Sequence, residues 1–519
     1  MSAAPMSLMA KTRASVRPPP LQGGCAGSFP RAKALGYSVK PLRGSIAAIL
    51  SLFVLSLSHA LRAEEPIRDD RVGICAHFSQ NWSVDQVMPL IAKLGVGWIR
   101  DDLPWKDLES TPGNYQIPAK TKNWIQAARK AGLKVDVILA YGNPAYPDPY
   151  DPAAYAKAAG WLATELADDV QAIEILNEPN NFGFRDKYGG MWNGNEPGGA
   201  VAPYLQKYVE ILNAAAKEIK RVNPHMTVIG LGTPTPASFR MIALGLAPQV
   251  DGLTDHPYGG QLPELVPYAD TPRYLIRDGI ATADANGTFA SQVAMFRAQA
   301  KKYGATEKLW HTEWGYPSIR TKPGKLGLTE ETQAVYLLRR LLESDAAGVE
   351  HTFIYEAKDE GIDPYSAGDN FGLVNNDLST KQAYFSIQRI TTALAGMEPA
   401  PAAKQAQIES DPAVKPDGLG FRCHTFLSSD NQKTLVAFWA AKSLNPNDKP
   451  TSATIELPSE LAAHHLFLYD LLSGNRTEVS GKAEVPATSQ TKNGGHLPAD
   501  HLHTVTVSIT AVPQLLVIL

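Results

Sequence analysis

The sequence predicts an α/β protein, a (β/α)8 TIM barrel followed by a small antiparallel β-sandwich. Three observations lead to this. From Arg71 onward, apolar runs of strand length alternate with amphipathic helical stretches, the pattern of a parallel sheet covered on both faces. Eight such runs fall within roughly 290 residues, the span of one closed barrel: Val72–Phe78, Gly97–Asp101, Lys134–Ala140, Ala172–Leu176, Thr227–Leu231, Gly252–Thr254, Lys308–Thr312 and Thr352–Glu356. After Met397 comes a linker-like stretch, Glu398-Pro399-Ala400-Pro401-Ala402-Ala403, and then short β runs with little helix.

The expected division is a leader over 1–63, a barrel over 66–397 and a sandwich over 400–519. Before Ile46 the chain carries Lys11, Arg13, Arg17, Arg31, Lys33, Lys40 and Arg43 and no acid. Ile46 to Leu57 is then an unbroken run of apolar residues and serine, followed by small residues at Ala60 and Ala63. A basic stretch, an apolar stretch and small residues in that order read as a signal peptide. The run is too short to cross a bilayer, which takes roughly 20 apolar residues, so cleavage and export to the periplasm or the outside are expected over an uncleaved anchor. Cleavage removes Cys25 and leaves Cys75 and Cys423, too few for a disulfide scaffold or a cysteine-rich metal site.

Within the barrel the helices can be read from their spacing. Ser83 is placed to open one whose apolar positions are Val84, Val87, Ile91 and Leu94, with Gly95 to stop it. Tyr204 to Val222 repeats the pattern with Leu205, Tyr208, Val209, Leu212 and Ile219, ended by Asn223-Pro224. The 519 residues are 44% hydrophobic and 19% charged, enough for one large and one smaller core, and the net charge of −3 gives no case for nucleic acid or an anionic membrane as partner. In the sandwich, strands are expected at Arg422–Ser428, Thr434–Ala440, Ala453–Leu457, Leu466–Leu471 and Thr504–Leu519, with no aromatic ladder to mark a carbohydrate binder.

Two strand ends carry chemistry. The run Ala172-Ile173-Glu174-Ile175-Leu176-Asn177-Glu178-Pro179-Asn180 ends in an acid followed by proline, which cannot continue a hydrogen-bonded ladder. Glu178 is therefore presented at the carboxyl rim of the barrel, where such folds carry their active sites. Lys308-Leu309-Trp310-His311-Thr312-Glu313-Trp314-Gly315-Tyr316-Pro317 has the same design, 313 − 178 = 135 residues later. Glu174 lies about 13 Å behind Glu178 at roughly 3.3 Å per residue, so it is read as a buried structural acid.

Ile173 to Asn180 together with His311-Thr312-Glu313-Trp314-Gly315 resembles the two signatures of the clan A retaining glycoside hydrolases, nearest to glycoside hydrolase family 39 and its polysaccharide-cleaving relatives. The resemblance covers about residues 70–400 and implies cleavage of O-glycosidic bonds in an oligo- or polysaccharide. It makes Glu178 the acid/base, Glu313 the nucleophile and Asn177 a contact to the sugar 2-hydroxyl. Arg100 then matches the strand-two arginine that holds the nucleophile, and His256 and Tyr258 the pair near substrate and nucleophile. Where many members carry tryptophan on strand eight, this chain has Tyr355, and beyond it Glu356 or Asp359 is expected to contact substrate hydroxyls.

Aromatic residues on the rim, Trp105, Tyr141, Tyr146, Trp192, Trp314 and Tyr316, are expected to stack on sugar rings, as are those of the Gly- and Asn-rich loop from Asn180 to Ala202. A two-carboxylate reaction needs no cofactor, and no second histidine at ligand spacing beside His256 marks a metal site. The competing reading is a non-catalytic polysaccharide-binding barrel, against which the trio of Arg100, Glu178 and Glu313 speaks. Neither a Gly-x-Ser-x-Gly elbow nor a glycine-rich phosphate loop is present.

Overall fold

The structure, a computed structural model, describes residues 67–259, 262–320, 328–409, 418–458, 465–479 and 503–519. The leader expected over 1–63 lies outside them. Among the described residues no helix is long and apolar enough to cross a membrane.

Eight parallel strands close in sequence order into a barrel. They are β1 (Asp69–Cys75), β2 (Val96–Pro104), β3 (Lys134–Ala140), β4 (Ala172–Ile175), β5 (Thr227–Thr233), β6 (Gly252–Asp255), β7 (Leu309–Trp314) and β8 (His351–Ile354). Each is followed by a main helix: α1 (Val84–Ala92), α2 (Ala119–Lys130), α3 (Pro152–Glu165), α4 (Pro203–Val222), α5 (Thr235–Ala243), α6 (Phe289–Lys302), α7 (Glu330–Ala346) and α8 (Gln382–Leu394). The floor of the barrel is filled by Cys75, Trp98, Ala172, Ile229, Trp310 and Phe353, so the interior is a packed core with its mouth at the carboxyl ends.

Local chemistry explains the boundaries. Asp151 opens α3 by accepting from Ala154 N at 2.8 Å with Pro152 in the first turn, and Thr329 opens α7 by accepting from Thr332 N at 3.1 Å. Ser83 does stand at the start of α1, but its side chain makes no capping bond; its carbonyl accepts from the amides of Gln86 and Val87. The strand edges differ from expectation at the mouth. β1 ends at Cys75 and Phe78 begins a short 3-10 turn, β4 ends at Ile175 because Leu176 is left-handed at φ 59°, and β8 ends before Tyr355.

The stretch read as a linker is partly strand. β9 (Met397–Pro399) pairs with β11 (Phe421–Ser428), so the chain enters the sandwich only a few residues after α8. A six-stranded antiparallel sheet runs β15 (Arg476–Glu478), β14 (Leu466–Asp470), β17 (Gln514–Ile518), β12 (Thr434–Ala440), β11, β9. It faces a three-stranded sheet of β10 (Gln407–Glu409), β13 (Thr451–Leu457) and β16 (His503–Ile509). Alternation along β12 serves two cores. Val436, Phe438 and Ala440 pack inside the sandwich with Ile455, Leu457 and Val507, while Leu435, Ala437 and Trp439 belong to the core of the barrel. Cys75 and Cys423 are free thiols.

A buried polar knot pins this junction. Glu264 accepts two bonds from the Arg339 guanidinium, at 2.8 and 2.6 Å, and a third from the Trp439 indole at 2.7 Å. Arg339 also donates to the carbonyl of Lys442 at 2.7 Å. Burial alone would raise the Glu264 pKa, but Arg339 and Trp439 outweigh it and hold the carboxyl below its usual range. Its contribution to stability is therefore present at neutral pH and lost as pH falls through that lowered pKa. Glu264→Ala leaves Arg339 buried without its counter-charge, and an expected loss of about 3–5 kcal/mol should be read as a lower denaturant midpoint.

Candidate active site

The mouth is built from four strand ends. At β4, Leu176 and Glu178 both take positive φ, 59° and 42°, on either side of Asn177. A left-handed leucine or glutamate costs on the order of 1–3 kcal/mol and survives only where the surroundings enforce it. The turn projects Glu178 into the mouth with 21% of its side chain exposed, while Glu174 stays fully buried beneath it.

At β7 strict alternation would send Thr312 and Glu313 to opposite faces. The register of β7 with β8 is irregular between His311 and Trp314, and both side chains instead reach the interior. His311 points the other way, with its ring 5.4 Å from Phe289 of α6. Sequence reading missed the double inward placement, since no residue in this run signals a bulge. It brings Thr312 into the site as a residue that was not foreseen.

Arg100, on β2, ties the site together. Its Nη1 donates to Glu313 Oε1 at 2.7 Å, its Nε to Glu174 Oε2 at 2.6 Å and its Nη2 to Asn177 Oδ1 at 3.1 Å. Burial would lower its pKa, yet Glu174 and Glu313 outweigh burial and leave it firmly charged. Tyr258 donates to the other oxygen of Glu313 at 3.2 Å. His256 faces both acids, with Nδ1 3.0 Å from Glu178 Oε1 and 3.7 Å from Glu313 Oε2, and its Nε2 lies 3.1 Å from Thr312 Oγ1. For Glu313, burial pushes the pKa up but His256 and Arg100 pull it lower than the ordinary glutamate value. Asp136, fully buried on β3 next to Glu174, is pushed well up by burial and by that neighbour's charge.

One oxygen of Glu178, one of Glu313 and a ring nitrogen of His256 all lie within 4.8 Å of one another. Three such atoms could surround a cation, but here the imidazole is already within hydrogen-bonding distance of Glu178. A second group, His77, Glu356 and Glu360, sits beside β1 and β8. His77 Nδ1 is 2.5 Å from Glu360, and the ring stacks on Trp82 with centroids 5.3 Å apart. Burial lowers its pKa, but Glu360 and Glu356 outweigh this and lift it to about 10. The cluster shares the wall of the mouth with Tyr355, whose ring edge meets His77 at 5.5 Å and Tyr258 at 6.1 Å.

Most of the expected aromatic platforms are core instead. Trp105 is 0% exposed, stacked on Tyr146 and hydrogen-bonded to Glu109 at 2.6 Å; Trp314 and Tyr316 are each 2% exposed. The indole of Trp314 donates to Thr352, and Tyr316 packs edge-on against Tyr336. No sugar can stack on them. Trp192 is half-buried beside the Arg277 guanidinium, and Phe184 and Tyr188 pack on Tyr150. The exposed aromatic next to the acid is Phe182, which meets Tyr141 edge-on; Tyr141 in turn donates to Asp102 at 2.9 Å. Glu356 is fully buried, and Asp359 is tied to Lys381 at 2.7 Å. Neither offers a free carboxylate to substrate.

Similar architecture occurs in solved structures. A family 39 glycoside hydrolase from Bacteroides cellulosilyticus WH2 superposes with a TM-score of 0.63 at 20% identity, over 88% of this chain and 82% of that one. The fold is one that glycoside hydrolases share. A glucosidase from Croceicoccus marinus follows at TM-score 0.53 and 17% identity, over 87% of this chain and 96% of its own. A GH30 endoxylanase from Clostridium papyrosolvens C71 reaches 0.50 at 11% identity, over 88% and 98%. No protein-family model matches the sequence, and no curated protein sequence does.

Proposed function

We propose that this protein is a retaining glycoside hydrolase that cleaves β-linked O-glycosidic bonds of an oligo- or polysaccharide. The observation that carries the reading is the pair Glu178 and Glu313, which project from β4 and β7 with carboxylate oxygens less than 4.8 Å apart. Retaining enzymes hold their carboxyl groups about 5–5.5 Å apart and inverting ones about 6.5–9.5 Å, to admit a water. The short separation favours direct attack. The similarity of fold to glycosidases supports the class of reaction.

The environments divide the roles. Glu313 is fixed by Arg100 and Tyr258 with its pKa lowered, which suits an ionised nucleophile; Glu178 stands more open to solvent, placed to protonate the leaving oxygen. In the first step a bond forms from Glu313 to the anomeric carbon, the bond to the leaving oxygen breaks, and that oxygen takes the proton of Glu178. Water then enters from the vacated side, gives its proton to Glu178 and displaces Glu313. Two inversions leave the configuration unchanged. Proton NMR of the first-formed sugar, recorded before mutarotation, should show the substrate's anomer; the opposite anomer would demote Glu313 to a general base.

A further inference from the structure

The two carboxylates are also connected through the protein, by an unbroken chain of contacts behind them. It runs from Glu313 to Arg100 at 2.7 Å, to Glu174 at 2.6 Å, to Thr312 at 3.0 Å, to His256 at 3.1 Å and to Glu178 at 3.0 Å. Its hydrogen-bond directions are constrained. Arg100 only donates, so Glu174 Oε2 accepts; the hydroxyl of Thr312 gives its one proton to Glu174 Oε1 and can only accept from the ring. His256 Nε2 therefore carries a proton. Its Nδ1 lies 3.0 Å from Glu178 Oε1, a hydrogen-bonding distance, and 3.7 Å from Glu313 Oε2, within ion-pair reach of a charged ring.

We infer that His256 is a permanent imidazolium, fixed by Thr312 and Glu174, whose charge serves whichever of Glu313 and Glu178 is the anion at each stage of the reaction. This rests on the glycosidase reading. In the resting site the cations Arg100 and His256 balance the anions Glu174 and Glu313, and Glu178 holds the transferable proton. When Glu313 becomes an uncharged ester, Glu178 has lost its proton to the leaving oxygen. The negative charge has moved from one side of the ring to the other, and the balance is unchanged. His256 need not move, because its Nδ1 lies 3.0 Å from one acid and 3.7 Å from the other.

The remaining groups around the ring are compatible with this. Burial opposes the charge on His256, but Glu313 and Glu178 outweigh it, and its pKa is raised. Tyr258 is kept neutral by burial and by Glu313. On the neighbouring strand faces, burial keeps His311 uncharged and lifts Asp255 to about 7. Thr312 and Glu174 are positioning residues: neither touches the reacting atoms, and their effect passes through the ring.

The test uses nitrogen NMR of the full chain labelled in histidine, with no substrate present. The His256 signal is assigned by its loss in His256→Gln or, if that variant fails to fold, by its perturbation in Thr312→Ser. Both ring nitrogens should remain protonated from about pH 5 to about 8, where free histidine loses its charge, and also in Glu313→Gln, which imitates the uncharged ester. A bare ring nitrogen at neutral pH in either protein overturns the inference. In kinetics, Thr312→Val removes the acceptor at Nε2, so both limbs of the pH–rate profile should move up by roughly one to two units, since a carboxyl without a neighbouring cation keeps its proton longer. Thr312→Ser should leave them in place; unmoved limbs in Thr312→Val would refute the role. Failure of the wild type to cleave any glycan would instead reject the hydrolase reading, leaving the NMR result to be judged on its own.

Discussion

Glu313→Ala is expected to abolish hydrolysis of every substrate, whereas Glu178→Ala should retain the first step for substrates that leave unaided. General acid catalysis contributes about 10²–10⁴-fold, and an activated aryl glycoside needs little of it because its leaving group is already a good one. Loss of Glu178 should therefore slow natural glycosides by about that factor while sparing formation of the glycosyl-enzyme from the aryl substrate. Azide, small and anionic, can then occupy the space left by the carboxylate and restore turnover. In Glu313→Ala azide can only displace the leaving group directly, from the face the carboxylate occupied, and gives a glycosyl azide of inverted configuration, whereas in Glu178→Ala it attacks the glycosyl-enzyme and gives the retained one. Rates on both substrate types, with and without azide, separate the two acids; identical behaviour of the two variants would contradict the assignment.

The second large effect is at Arg100. Its guanidinium is buried and is bonded to Glu174, Glu313 and Asn177 at once. Arg100→Ala leaves two buried carboxylates without that cation, and breaking such a pair costs about 3–5 kcal/mol, a large part of the roughly 5–15 kcal/mol that holds a typical protein folded. Arg100→Lys keeps a charge but not a planar fork that reaches three acceptors, so it should fold better and still lose most activity. Its acid limb should rise, because Glu313 keeps its proton to higher pH. Thermal denaturation beside a pH–rate profile distinguishes the effects; an Arg100→Ala protein of native stability would mean that the buried acids are satisfied elsewhere.

How much of this could be read from the chain depends on which period a residue obeys. β3 is found at its expected bounds, Lys134–Ala140, because its apolar run is bounded by residues that behave as the sequence suggests. The run before Glu178 was equally plain, yet Leu176 leaves the strand, since the turn that aims the acid takes a backbone conformation no side chain advertises. Arg100, Asn177, His256 and Tyr258, each named from the sequence, lie together around Glu178 and Glu313. Thr312 was invisible because a bulge, not composition, turned it inward. Trp105, Trp314 and Tyr316 misled for a physical reason: a large ring after a strand end fills the gap between barrel and helices as readily as it faces a ligand, and sequence does not distinguish the two.

The order of the six-stranded sheet has a consequence for synthesis. β17, the last of its strands in chain order, lies between β14 and β12 in the interior of the sheet, and its residues Leu515 and Val517 complete the core that continues into the barrel. The barrel has all its strands and helices by Leu394, but β17 follows about 120 residues later. At about 5–20 residues per second, a nascent barrel waits on the order of ten seconds before that part of its side is covered. During that interval the apolar flank is open to neighbouring chains. The vulnerable period of this molecule is thus set by where one short strand is inserted, and a chaperone acting on the nascent chain would find its surface there, far from the mouth where the sugar is expected to bind.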